Sequence, residues 1–107
     1  MPRTVFPDEM EWKETPRGYY LSDVREKVLI QDPDTGMKIA LVKAPVGKMD
    51  KIHSHPEANQ YVLRLTGERE WAFNITPKGE VHGGASLEQE TLALFIWDGP
   101  PAPKVDE

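Results

Sequence analysis

Cysteine is absent from this chain of 107 residues. Disulfide frameworks, thiolate zinc sites and cysteine nucleophiles are therefore excluded. The redox compartment stays open, with the cytoplasm as the expectation. Aromatic side chains are sparse, at 8%. The longest apolar stretch, residues 92–97, falls far short of the roughly 20 residues a membrane-spanning helix needs. Cations are outnumbered: 13 Lys and Arg face 18 Asp and Glu, a net charge of −5. That balance argues against a nucleic-acid backbone or an anionic membrane as the main partner. The opening Met-Pro-Arg-Thr-Val soon turns acidic, so no secretory leader is expected. The chain also has no Ser-His-Asp order, no phosphate-cradling glycine loop and no basic surface interleaved with aromatics.

What is present points to a small β domain. The length suits one domain, and such a domain buries roughly two-thirds of the surface its unfolded chain exposes. Ten prolines and eight glycines imply many turns. The run Asp32-Pro33-Asp34-Thr35-Gly36 is a strong turn, with proline presetting φ and glycine accepting positive φ. Residues 27–31 before it and 37–44 after it read as a hairpin, with Ile39 and Leu41 sharing a face with Met37. Residues 60–65 and 69–75 read as two more strands, separated by a turn at Thr66-Gly67-Glu68. Residues 80–87 are a weaker strand, broken at Gly83-Gly84. Residues 91–97 are apolar on both faces, which predicts a strand buried between two layers. The prolines of the first 26 residues argue against a long helix and suggest an extended arm. Residues 102–107 read as a short edge or a frayed tail. Six or seven short strands punctuated this way indicate an all-β sandwich or barrel.

The chemistry concentrates between Gly47 and Gly67. His53 and His55 stand two apart, so on a strand they face the same way. With Pro56, Glu57, Ala58 and Asn59 as a hairpin loop, His55 would oppose Gln60 and His53 would oppose Val62. Two imidazoles and an amide would then converge, with Arg64 and Lys51 on the same face. Imidazole suits Zn, Cu, Fe and Ni. A basic group beside a metal helps to hold an anionic or enolate-like ligand. Two histidines at this spacing also occur on an ordinary polar strand face.

The full spacing is more specific. Gly47, His53, His55, Gln60 and Gly67 follow G-x5-H-x-H-x4-E-x6-G, with glutamine in the glutamate position. This resembles the first signature motif of the cupins. The second cupin motif, P-x-G-x-x-H, supplies a further histidine, and two stretches compete for it. Residues 97–102 follow the apolar strand but put Trp97 for the proline and Ala102 for the histidine. Residues 77–82 match the letters, ending at His82, but start only ten residues after Gly67. Strand count favours residues 97–102. The resemblance implies a double-stranded β-helix barrel, antiparallel and jelly-roll-like, over residues 27–107, with residues 1–26 as an arm packing on it. It further implies a homodimer, a divalent metal (Fe, Mn, Ni, Zn or Cu) and a small-molecule ligand. Trp12, Pro16-Arg17-Gly18 and the turn at residues 32–36 are similar to small dioxygenase cupins acting on diketones or hydroxyacetophenones, and to the cupin domains of anti-sigma factors.

On this reading the metal ligands are His53, His55 and Gln60, with Arg64 stabilising negative charge on a reacting ligand. His82 joins them only if the Gly83-Gly84 bulge turns it inward; otherwise it is an exposed residue. Glu57 is a possible proton carrier or metal oxygen, or else a solvated loop residue. Tyr61, Val62, Trp71, Phe73 and Trp97 are candidates for a pocket wall, the aromatics being equally at home in a core. Trp71 and Phe73 share strand parity and could instead form a dimer contact. Three functions follow: a dioxygenase-like or isomerase-like metalloenzyme, a non-catalytic sensor with a degenerate site, or a module valued for its dimer surface.

Overall fold

The computed structural model describes residues 2–16 and 18–105. Among the described residues, a 3-10 turn at Pro7–Glu9 precedes ten strands. These are β1 (Lys13–Glu14), β2 (Arg25–Gln31), β3 (Lys38–Ala44), β4 (Gly47–Lys48), β5 (His53–Ser54), β6 (Gln60–Thr66), β7 (Phe73–Thr76), β8 (Ser86–Leu87), β9 (Thr91–Trp97) and β10 (Lys104–Val105). The all-β expectation holds. Among the described residues, no helix is long and apolar enough to cross a membrane.

The strands do not form one continuous ladder. Six of them make an antiparallel sheet in the order β1-β2-β3-β9-β6-β7, while β4 pairs with β8 and β5 with β10. The β2–β3 hairpin appears where the turn chemistry places it. Asp32 Oδ1 accepts from the Asp34 amide at 2.8 Å, and the Gly36 amide donates to the Asp32 carbonyl at 2.8 Å. Gly36 sits at φ +79°, and a β-carbon there would collide with Pro100. Side-chain alternation is clean along β3, but the more buried face is Lys38, Ala40, Val42 and Ala44, not the face of Ile39 and Leu41. Ala40, Val42 and Ala44 pack there with Val24, Ala58 and Trp97.

Two strand expectations are corrected. The strand foreseen at residues 69–75 begins only at Phe73, because residues 68–71 form a turn in which Arg69 and Trp71 adopt φ +55° and +69°. Trp71 thus has no strand face to share with Phe73. Strand β9 is buried on one side only: Thr91, Ala93 and Trp97 point inward, whereas Leu92, Leu94 and Ile96 are partly exposed. Register extends that outer face into two apolar rows, Ile39–Ile96–Tyr61–Ile75 and Leu41–Leu94–Leu63–Phe73.

The core joins the large sheet to the short ladders. Val24, Ala40, Val42, Ala44, Ala58 and Trp97 form its centre, with Tyr20, Met49, Leu87 and Phe95 packed against it. Charge is buried too: Lys38 Nζ lies 3.0 Å from Glu26 Oε1 and 5.5 Å from the centre of the Trp97 ring. The arm docks by strand pairing and by Trp12, whose ring has the ammonium groups of Lys27 and Lys43 each 4.6 Å from its centre. Arg17, in the arm motif, and residues 106 and 107 of the tail lie outside the described residues.

Candidate metal centre

The expected hairpin register does not form. β5 pairs with β10, so Val105 lies opposite His53. Gln60 instead opposes Thr76 and Trp97 in the large sheet. The histidines nevertheless lie close to Gln60, because the loop at residues 56–59 carries the chain from one layer to the other. Asn59 anchors that loop: its side-chain and backbone N–H groups each donate to Asp98 at 2.8 Å.

His82 is the main correction. Its backbone exchanges two hydrogen bonds with His53, each 2.8 Å. The tight turn at residues 77–80 delivers it there, fastened by the Gly79 amide on the His55 carbonyl at 3.0 Å. Gly83 and Gly84 follow at φ +103° and +78°, and the Gly84 amide donates to Asp50 Oδ1 at 3.0 Å. A β-carbon on Gly83 would lie 2.8 Å from the Lys51 carbonyl and 3.0 Å from His53 Nδ1, so the chain can approach this closely only with glycine. The Gly83-Gly84 break thus turns His82 inward to face His53, while residues 97–102, the stretch favoured by strand count, run between β9 and β10, the partners of β6 and β5. Ala102 is exposed, and its neighbour Pro101 contributes only a carbonyl.

His53, His55 and His82 offer one ring nitrogen each, all within 4.8 Å of one another. Two of the rings have defined tautomers. His53 Nδ1 lies 2.7 Å from the Lys51 carbonyl, and His55 Nδ1 lies 2.7 Å from the Pro101 carbonyl. A carbonyl can only accept, so each Nδ1 carries the proton and each Nε2 presents a lone pair. The Nε2 atoms of His55 and His82 are buried and, among the described residues, have no hydrogen-bond partner. Burial, reinforced for His82 by the neighbouring histidines, lowers both pKa values, that of His82 to about 4. At neutral pH both rings are therefore uncharged, the form that binds metal. Three imidazoles with one nitrogen each inside 4.8 Å, two of the rings oriented by carbonyls, suit a divalent ion held at about 2.0–2.1 Å.

The other candidates divide. Gln60 is buried beside the histidines, but its Oε1 accepts the Trp97 indole N–H at 2.9 Å. Trp97 is thus a core residue with a polar anchor, not a wall of the open cavity. That cavity, about 290 Å³, is lined by His53, Gln60, Val62, Arg64 and His82, and also by Tyr19, Tyr20, Asp50 and Phe95. Arg64 Nη1 donates to the Glu68 carbonyl at 2.9 Å. Glu57 is an exposed loop residue and takes no part. Tyr61 and Phe73 stack on the outer sheet face, and Trp71 is 68% exposed; none of the three lines the cavity. Sequence reasoning missed Tyr19, Tyr20 and Asp50. They meet the site through one bridge, Tyr20 to Asp50, between segments 30 residues apart, which leaves no periodic signal.

No protein-family model and no curated protein matches the chain. Solved structures do. A candidate acetylacetone dioxygenase from Methylibium petroleiphilum PM1 is 15% identical and superposes with a TM-score of 0.84, covering 100% of this chain and 82% of its own. An acetylacetone dioxygenase from Acinetobacter johnsonii is 16% identical, with a TM-score of 0.76 and coverage of 100% and 79%. An RmlC-like cupin from Ralstonia eutropha JMP134 is 21% identical, with a TM-score of 0.61 and coverage of 91% and 68%. The chain has the cupin fold. Identities this low carry the architecture and not the activity.

Proposed function

We propose that this cupin-fold chain is a metal-dependent enzyme in which His53, His55 and His82 hold a divalent ion, Fe, Mn, Ni, Zn or Cu, beside a cavity for a small organic ligand. The observation that carries this reading is the pair of buried, partnerless Nε2 atoms on His55 and His82. Such groups are costly unless something occupies them. When bound, the ion supplies Lewis acidity or dioxygen activation. A set of neutral donors leaves its full positive charge in place, and glutamine in the glutamate position preserves that neutrality.

The chain's own residues supply the rest. Arg64 is the one cationic side chain among the cavity's lining residues, and it neutralises charge on a bound anion. Asp50, with one oxygen already on the Gly84 amide, is a nearby proton acceptor. The acetylacetone dioxygenases among the structural relatives support an oxygen-rich, enolisable ligand. The test is elemental analysis of protein purified without chelator, beside His53→Ala, His55→Ala and His82→Ala. Wild type carries about one equivalent of a transition metal and each variant loses it. Equal metal in the His82→Ala protein would overturn the assignment. Chelation of a bound ion would also remove stability, by about 4 kcal/mol at a thousandfold excess over Kd.

The outer sheet face supports a homodimer in which a second copy covers it. Its two rows carry no charge, and Phe73 and Ile75 are 58% and 57% exposed. Light scattering of wild type beside Ile75→Lys is expected to show a dimer and a monomer, respectively.

A further inference from the structure

Tyr19 and Tyr20 lie outside the histidine motif, on the N-terminal arm, yet both line the cavity. The backbone clips them there. The Leu21 amide donates to the Met49 carbonyl at 2.8 Å, and the Lys51 amide donates to the Tyr19 carbonyl at 2.7 Å. Tyr19 is 6% exposed, and its ring centre is 4.3 Å from those of both Tyr20 and His53. The Tyr19 and Tyr20 hydroxyls share a hydrogen bond of 3.0 Å. Two phenols carry two protons and this bond uses one of them. Among the described residues the second proton has no acceptor, and Tyr20 is the less buried of the two residues. Burial raises the pKa of both phenols, that of Tyr19 to about 12, so both stay protonated at ordinary pH.

The remaining cavity lining gives the complement. Arg64 adds further N–H donors, and Val62, Met49 and Phe95 form an apolar wall that, together with Arg64, is shared with a recess of about 50 Å³ behind it. The geometry points to Tyr20 as a ligand-orienting donor: its hydroxyl, polarised by Tyr19, hydrogen-bonds an oxygen of a small carboxylate or carbonyl compound whose short apolar tail lies on Val62, Met49 and Phe95. This deepens the metalloenzyme reading by naming the ligand class and a specificity residue, and it rests on that reading only for the shared cavity.

The probe is 2-oxobutyrate, which joins oxygen acceptors to an ethyl tail. It is titrated calorimetrically into cobalt-loaded and metal-free protein, with cobalt content measured separately. Tyr20→Phe keeps the ring stack and is expected to leave cobalt stoichiometry unchanged while raising the probe Kd by about 5- to 30-fold, the loss of one hydrogen bond. Tyr19→Phe, which removes only the polarising partner, raises it by about 2- to 3-fold. The wild-type to Tyr20→Phe ratio holds in metal-free protein as well, because the phenol acts without the ion. Failure of cobalt to bind therefore bears on the histidine centre alone. Equal probe affinity in wild type and Tyr20→Phe overturns the inference, as does a wild type that fails to bind 2-oxobutyrate in either form.

Discussion

Replacing Lys38 by methionine tests how the interior tolerates charge. Lys38 Nζ sits 3.0 and 3.3 Å from the two oxygens of Glu26, and the side chains are only 8% and 10% exposed. Removing one partner strands the other charge in the interior, which costs about 3–5 kcal/mol. A domain of this length has a total stability of roughly 5–16 kcal/mol, so the loss is a large share of it. Replacing both partners by apolar residues behaves differently. Lys38→Met with Glu26→Leu removes the pair's desolvation penalty along with its attraction, and is expected to be neutral or stabilising by about 1–4 kcal/mol. Urea unfolding followed by tryptophan fluorescence, to which Trp97 contributes, measures all four proteins of the cycle. Because Lys38 lies against the Trp97 ring, emission also reports local repacking. The reasoning fails if either single replacement costs less than 1 kcal/mol, or if the double variant loses the sum of the two singles.

Three further outcomes are expected. Trp97→Phe leaves Gln60 Oε1 buried without its indole donor and lowers unfolding stability by about 1–3 kcal/mol on top of the lost ring volume; an unchanged denaturation midpoint would contradict this. Gly83→Ala forces a β-carbon into the 2.8 Å approach to the Lys51 carbonyl and a side chain into φ +103°, so it destabilises by about 1–3 kcal/mol and reduces metal occupancy. Chelated protein loses stability as pH falls, because unfolded His82 takes up a proton near pH 6.5 whereas folded His82 resists to about pH 4. A His82→Gln variant, compared by thermal melts at pH 7 and pH 4, shows a smaller loss over that window.

Where local chemistry dominates, the sequence is legible. The β2–β3 hairpin follows from Pro33 and Gly36, and strands β3, β6 and β9 lie at or within one residue of their expected places because apolar and β-branched residues recur there. The pairing of His53 with His55 was readable from period two alone. The partners of those histidines were not. β5 has two residues and takes its neighbours from positions 82 and 104–105, so no local pattern specifies the register. Trp71 illustrates a different failure. Its strand propensity is overridden by a turn that places a tryptophan at positive φ, a conformation sequence periodicity cannot report. Tyr19 and Tyr20 were hidden for the same reason as His82: a single non-local bridge positions them.

That His53–His82 bridge has a consequence for ion choice. The two residues occupy one rung of an antiparallel pairing, closed by reciprocal 2.8 Å contacts, while His55 shares a backbone segment with His53. The gap between the attachment points of the donor rings is therefore fixed by peptide geometry and not by side-chain flexibility. Ions that favour wider or narrower donor spacing must conform to the protein, and discrimination between metals becomes a property of the scaffold's stiffness.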